Sequence, residues 1–365
     1  MSKVALLGFV VGLACTYGCS GGNAPLTVPM AGASGSSAGT NGTGATGTAG
    51  ATGTGGTAVG GDITKVVPTL GCGMDPTGLT PGMLVRQTIQ TMGIKPADCA
   101  DSQCGSWSYV REYYVQLPPG YVNTKAYPLL FEGPGCGGKG SNLYQLTNLS
   151  SSVIRVGVSP SADAQAFHAI SPGQGCFDDH EGDDSVDWVF YENLYDKLAA
   201  QLCFDRHRVF ASGYSSGAWL ANELACKYAG DATRPIRGIM PVDGGLPTDP
   251  RYLPSCTKSP MAGMWVIHID SGVGSFAASK VAIARAMNVN GCTIGTDYDT
   301  ARFDTFPIGG NKPDNTCSKI MGCPDLFPLV VCPIPGNLQT NLQDVVIPGW
   351  ATFLNLFSAP PLLTP

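Results

Sequence analysis

Histidine and charge are both scarce in this sequence of 365 residues. Charged residues make up 13 % of the chain, which is about half of the quarter that is usual in soluble domains. The formal net charge is −6, and this excludes an electrostatic nucleic-acid binder, because such proteins need a basic face. Any chemistry that needs an imidazole has only His168, His180, His207 and His268 to draw on.

The amino terminus has an apolar run, over residues 4–13, that is too short to cross a bilayer of about 30 Å as a helix. It follows Lys3 and has the length of the hydrophobic region of a signal peptide. Small residues precede Cys15 and Cys19, which resembles a bacterial lipoprotein signal. We therefore predict a signal peptide over residues 1–19 and an extracellular or cell-envelope location. Three forms are left open: an outer-membrane lipoprotein with a lipid anchor, a freely secreted protein, and a protein that keeps the segment as an uncleaved anchor.

Bulky and charged side chains are absent from residues 31–61. Every residue there is Gly, Ser, Thr or Ala except Asn41 and Val59. Such a segment has no apolar side chains whose burial could offset the conformational entropy lost on folding. The composition therefore predicts a disordered linker over residues 20–61. The remaining residues, 62–365, have the length of one α/β domain.

Cysteine is plentiful, with 14 residues in the chain and an even number of them after residue 61. That many thiols indicate an oxidising compartment and a disulfide-rich domain, although the pairing cannot be derived from the sequence. A zinc site needs pairs such as C-x2-C with histidine support, and residues 62–365 have no such pattern. We expect no metal and no cofactor.

Short apolar runs alternate with segments of helical periodicity along the domain. This alternation predicts an α/β fold, with a mostly parallel central sheet covered by helices on both faces. Strands are predicted over residues 113–116, 127–131, 152–158, 208–211, 236–242 and 264–269, and helices over residues 186–202, 219–228, 278–287 and 350–357.

The strongest chemical motif is Gly213-Tyr214-Ser215-Ser216-Gly217. It follows a predicted strand and precedes a predicted helix, which is the context of a nucleophile elbow. Glycine two residues before and after Ser215 would let the chain turn sharply and present the hydroxyl. The N–H of Ser216 would then open the helix and donate to an oxyanion.

A glycine-rich loop, Gly133-Pro134-Gly135-Cys136-Gly137-Gly138, follows the predicted strand 127–131. An oxyanion hole takes its second N–H from a loop at this point, and either Cys136 or Gly137 is the predicted donor. The loop lacks the G-x-x-x-x-G-K-[ST] pattern of a phosphate cradle.

These motifs, with residues 127–138, 175–179, 205–217 and 290–292, resemble secreted α/β-hydrolase esterases of the polyhydroxybutyrate depolymerase and feruloyl esterase group. The likeness covers roughly residues 108–357. It implies an α/β-hydrolase fold and ester hydrolysis through an acyl-enzyme on Ser215, without a cofactor. The substrates of such relatives are hydroxycinnamoyl esters of plant polysaccharide, acetyl esters or polyesters.

One departure from this group concerns the catalytic base. The triad order in the fold is Ser, acid, His, and the group's histidine lies near the carboxyl terminus. The matching residues 335–344 contain no histidine, and Gln339 cannot take a proton from Ser215.

Three arrangements remain open for the base and the acid. His268 is the base with Asp243 as its acid, which keeps the chain order. Alternatively, Asp270 is the acid and His268 is structural, or His180 enters the site from a loop. A triad enzyme without its base keeps only about 10³–10⁴-fold acceleration over water. A catalytically degenerate surface protein that binds a polysaccharide or a partner is therefore the alternative to a serine esterase.

The acidic run at residues 178–187 is a further candidate for a Ca²⁺ site. It lacks the EF-hand pattern, so we expect a solvated loop instead.

Overall fold

The computed structural model describes residues 62–94, 106–142, 152–160, 175–177, 186–245, 259–269, 276–308, 316–336 and 341–357. The predicted signal peptide (1–19) and linker (20–61) lie outside these residues, so these two assignments remain predictions. His168, His180, Asp270 and Gln339 also lie outside them.

The described strands form one sheet of ten in the order β1-β2-β4-β3-β5-β6-β7-β10-β9-β8. They are β1 (Leu84–Ile94), β2 (Ser106–Gln116), β3 (Tyr127–Gly133), β4 (Ile154–Val158), β5 (Phe204–Tyr214), β6 (Gly238–Val242), β7 (Ala262–His268), β8 (Phe303–Thr305), β9 (Ser318–Ile320) and β10 (Leu329–Ile334). The six strands from β4 to β10 pair in parallel. Antiparallel strands extend the sheet at each edge. The mostly parallel sheet expected from the sequence is confirmed.

Helices cover both faces of this sheet, because side chains alternate along each strand and both sets are apolar. On one face Phe131, Ala211 and Trp265 share a core with α1 (Val186–Gln201), α2 (Ser216–Tyr228) and α3 (Phe276–Asn290). On the other face Phe210 and Met264 share a core with α4 (Ile347–Asn355), which follows a π-helical turn at Leu342–Val346. No helix in the described ranges is long and apolar enough to cross a membrane.

Disulfides join segments that are far apart in the chain, as the cysteine count predicts. The described pairs are Cys72–Cys203, Cys136–Cys176, Cys292–Cys323 and Cys317–Cys332. Cys226 is disulfide-bonded as well. The first pair, 131 residues apart, ties the segment before β1 to the amino end of β5.

Two buried ion pairs flank the parallel strands. Arg111 of β2 is paired with Asp187 of α1, and the side chains of both are 1 % exposed. The acidic run 178–187 was expected to be a solvated loop, and for Asp187 this expectation is wrong. Asp187 lies in the first turn of α1 and pairs with a buried guanidinium. Arg155 of β4 holds Glu132 of β3 through two hydrogen bonds of 2.6 and 3.0 Å. Burial raises the pKa of Glu132, and the charge of Arg155 opposes this shift.

We expect Glu132→Leu to lower the free energy of unfolding by about 3–5 kcal/mol, because it leaves the Arg155 guanidinium buried without its carboxylate. The double variant Glu132→Leu/Arg155→Leu should lose less than the single variant, since it leaves no buried charge. Urea denaturation followed by circular dichroism measures both.

The control for this pair is Asp299→Ala, which breaks an exposed ion pair with Lys280 and should change stability by less than about 1 kcal/mol. A double variant less stable than Glu132→Leu would contradict the expectation.

Candidate active site

Ser215 occupies a sharp turn between β5 and α2. Its backbone has φ 53° and ψ −118°, in the left-handed half of φ space that residues other than glycine rarely adopt. The turn is held from both sides, because Ser215 N–H donates to Val242 at 3.0 Å while its carbonyl accepts from Ala218 at 2.9 Å. The residue as a whole is partly exposed.

Two glycines make this turn sterically possible. A Cβ on Gly213 would lie 2.3 Å from the carbonyl oxygen of Gly217, and a Cβ on Gly217 would lie 2.0 Å from that of Gly133. Three backbones therefore meet where β3, β5 and α2 converge, and no side chain fits among them.

The glycine-rich loop after β3 lies against Ser215. A Cβ added to Gly135 would be 3.4 Å from the Cβ of Ser215 and 3.3 Å from the ring of Tyr214. Of the two donors predicted in this loop, Gly137 N–H already donates to Gly175 at 3.1 Å. The N–H groups of Cys136 and Ser216 donate to no acceptor among the residues that the structure describes. Ser216 directly follows the turn as the first residue of α2, and Cys136 belongs to the loop that packs against Ser215.

Asp243 and His268 form a buried pair at the ends of β6 and β7. The Oδ2 of Asp243 lies 2.6 Å from Nδ1 of His268, and its Oδ1 accepts the His268 backbone N–H at 2.8 Å. The two residues are 2 % and 3 % exposed. An ionised carboxylate only accepts hydrogen bonds, so we assign the proton to Nδ1, which makes Nε2 the basic nitrogen of the ring.

Asp243 turns the chain as sharply as Ser215 does. Its φ is 52°, and these two are the non-glycine residues with positive φ in the described chain. Its N–H donates to Val266 of β7 at 3.1 Å, and Gly244 behind it is packed so that a Cβ would lie 2.6 Å from the Ser215 carbonyl oxygen. Sequence reasoning did not single out Gly244, although the run Asp243-Gly244-Gly245 was a visible signal.

Ser215 directly follows β5, Asp243 directly follows β6, and His268 is the last residue of β7. The three residues therefore lie at the carboxyl ends of three adjacent parallel strands. Neighbouring strands are about 4.8 Å apart, so two spacings, roughly 10 Å, separate the Ser215 and His268 backbones. Burial raises the pKa of Tyr214, next to Ser215, and the negative charge of Asp243 raises it further. Asp243 therefore acts electrostatically on the turn.

Two further residues were predicted for this site from the sequence. Asp270 and His180 lie outside the described residues, so their assignments stay predictions. Within the described ranges, no three His, Cys, Asp or Glu side chains converge as metal ligands would.

The strand order, the turn at Ser215 and the loop after β3 define the α/β-hydrolase fold. No protein-family profile matches the chain. The chain is 26 % identical over 184 residues to a probable feruloyl esterase C of Aspergillus clavatus, covering 50 % of this chain and 62 % of that protein. It is 28 % identical over 136 residues to feruloyl esterase C of Emericella nidulans, covering 37 % and 47 %.

Among solved structures, an acetyl xylan esterase from Aspergillus awamori matches 67 % of this chain and 94 % of its own, with a TM-score of 0.41 and 15 % identity. The predicted resemblance to α/β-hydrolase esterases of the feruloyl esterase group is confirmed by the two relatives. The matches span about three fifths and about half of the length of those relatives.

We expect Gly217→Ala to lower the free energy of unfolding by about 1–3 kcal/mol, because the new methyl group must displace the Gly133 carbonyl. The same change would otherwise favour a helix interior. Thermal unfolding measures the loss. The matched control is Gly120→Ala, where no atom lies within 4 Å of an added Cβ; equal stability of the two variants would contradict the crowding at the turn.

Proposed function

We propose that this protein is a serine carboxylic-ester hydrolase. Ser215 is the nucleophile, His268 the general base and Asp243 the acid that orients it, and the N–H groups of Ser216 and Cys136 form the oxyanion hole. The observation that carries the proposal is the buried Asp243–His268 pair, with its 2.6 Å contact, one strand away from the turn that presents Ser215.

The reaction would proceed in two displacements. His268 Nε2 takes the hydroxyl proton as Ser215 Oγ attacks the ester carbonyl carbon, and the carbonyl oxygen becomes an oxyanion held by the two amides. The imidazolium then gives its proton to the departing alcohol, and an acyl-enzyme remains. Water, activated by the same imidazole, attacks the acyl carbon and releases the carboxylic acid and Ser215.

Asp243 supports both displacements without moving a proton. Its carboxylate fixes the tautomer of His268 and stabilises the imidazolium that forms in each step. The chain order Ser215, Asp243, His268 also preserves the order of the fold. The base has moved to β7, because the stretch after β10 supplies no histidine. Asp270 as the acid remains the competing assignment.

The proposed substrates are esters of the hydroxycinnamic type, since the two relatives reported above are feruloyl esterases. Acetyl esters and polyhydroxyalkanoate-type polyesters are the other substrates to test, and plant polysaccharide is the proposed carrier of the ester. The described disulfides and the predicted signal peptide support an extracellular or cell-envelope location. We also propose that a lipid anchor attaches the protein to the cell envelope.

The proposal is tested by fluorophosphonate labelling and by the hydrolysis of methyl ferulate, p-nitrophenyl acetate and a soluble polyhydroxybutyrate oligomer. Ser215→Ala should abolish labelling. His268→Ala and Asp243→Asn should each lower kcat by on the order of 10³-fold or more, because the proton transfer loses its acceptor or its orientation.

Asp304→Asn is the matched control, since Asp304 lies on an exposed strand at the far edge of the sheet, and its kcat should equal the parent value. Labelling that persists in Ser215→Ala would show that Ser215 is not the nucleophile. Unchanged kcat in His268→Ala would place the base elsewhere, and a parent protein that neither labels nor hydrolyses any of the three esters would favour a binding domain.

The Cys136–Cys176 disulfide should hold the oxyanion amide in place, because it ties the exposed end of the loop to residues 175–177. We expect Cys136→Ala/Cys176→Ala to lower kcat about 10-fold or more, with a smaller change in KM, since an oxyanion interaction is made in the transition state. Cys292→Ala/Cys323→Ala, which removes a disulfide next to α3, is the control and should keep the parent kcat. Equal effects of the two double variants would show that only stability had changed.

A further inference from the structure

A cavity lies near the amino ends of β5 and β6, whereas Ser215 lies at the carboxyl end of β5. Its volume is about 190 Å³, and its walls include Ile63, Val66, Leu326, Leu356, Phe357 and the side chain of Arg237. Arg237 immediately precedes β6, whereas Asp243 immediately follows it. At about 3.3 Å per residue, the length of β6 separates this cavity from the candidate active site by roughly 20 Å.

Arg237 is a buried cation with incomplete hydrogen bonding. The residue is 9 % exposed. One terminal nitrogen donates to the Leu326 carbonyl, and the guanidinium lies over the rings of Phe327 and Phe357, 4.6 and 5.0 Å from their centroids. The other terminal nitrogen, Nη1, is buried and has no hydrogen-bond acceptor within the described part of the chain.

Burial lowers the pKa of Arg237 to about 10, so the side chain is still protonated at neutral pH. Buried charges in proteins are ordinarily paired with an opposite charge. Arg237 has no carboxylate partner among the described residues. Its backbone, just before β6, is fixed because its N–H donates to Val209 and its carbonyl accepts from Ala262. A guanidinium held in this way is preorganised for an anion.

The other charged or titratable groups around the cavity already have partners. Asp205 accepts from Arg208 Nε at 2.6 Å and from the backbone N–H groups of Val67 and His207. His207 Nδ1 lies 2.9 Å from the Lys65 carbonyl. A further acid on the rim, Asp325, is exposed and pairs with Lys319 at 2.9 Å. Arg237 is therefore the uncompensated charge of this cavity.

We propose that this cavity binds a small organic carboxylate. The Arg237 guanidinium supplies a positive charge that a carboxylate would pair with, and the aliphatic and aromatic walls suit an apolar body attached to it. The proposal does not rest on the catalytic assignment, because none of the residues named for hydrolysis lines the cavity.

Isothermal titration of the full chain with benzoate, benzamide and inorganic phosphate tests this proposal. Benzoate should bind and benzamide, its neutral counterpart of similar shape, should bind at least 10-fold more weakly. Arg237→Met should weaken benzoate binding at least 10-fold. Arg234→Met, which removes the same charge from an exposed pair with Asp196, should leave it within about 2-fold.

A second variant guards against a folding defect in Arg237→Met. Leu356→Trp keeps the guanidinium, changes a residue that is 51 % exposed and fills the cavity, so it too should abolish benzoate binding. The proposal is overturned if the parent protein fails to bind benzoate, if benzamide or phosphate binds as tightly, or if Leu356→Trp binds benzoate as the parent does.

Discussion

The backbones of Gly133, Gly213 and Gly217 touch where β3, β5 and α2 meet, and the geometry around Ser215 depends on this contact. A side chain on Gly213 or Gly217 would overlap a carbonyl oxygen, so α2 approaches the sheet closely only because both positions are glycine. A non-glycine residue at positive φ costs about 1–3 kcal/mol. Ser215 keeps that conformation because β6 and the first turn of α2 bind its N–H and carbonyl. The loop after β3 also lies close, with Gly135 packed against Ser215.

The central strands were predictable because their apolar runs are buried on both faces. The runs at 127–131, 208–211 and 264–269 correspond to β3, β5 and β7. Of the flanking strands, β2 was predicted only over residues 113–116. β1, β8 and β9 were not predicted, since β1 reads LVRQTIQTMGI and β8 has three exposed residues. β10 (LVVCPI) was missed too, although it is buried, because it holds a proline and follows a loop-rich stretch. Strand β5 begins four residues earlier than expected, and the charged residues Asp205 and Arg208 near its start pair with each other.

The parts of the candidate site that depend on neighbouring residues were predictable from the sequence, and the parts that depend on distant residues were left open. The turn at Ser215 is encoded within five consecutive residues and could be predicted from them. The sequence offered Asp243 as the partner of His268 but left it open beside other arrangements, because the contact joins residues 25 apart and depends on the pairing of β6 with β7. The choice between Cys136 and Gly137 depended on a loop contact as well, since the hydrogen bond to Gly175 occupies one amide and leaves the other. Nothing in the sequence around Arg237 pointed to a binding site, because its contacts with two phenylalanine rings and the Leu326 carbonyl come from distant parts of the chain.

The position of His268 also limits how β7 can change in evolution. Trp265 and Ile267 point to the core shared with α2 and α3, whereas Met264 and Val266 point to the core shared with α4. By the same alternation, His268 belongs to the second set. An insertion or deletion of one residue within β7 would exchange the two sets and carry the imidazole away from Asp243. Length variation among descendants of this chain should therefore accumulate in the connections and be absent from this strand.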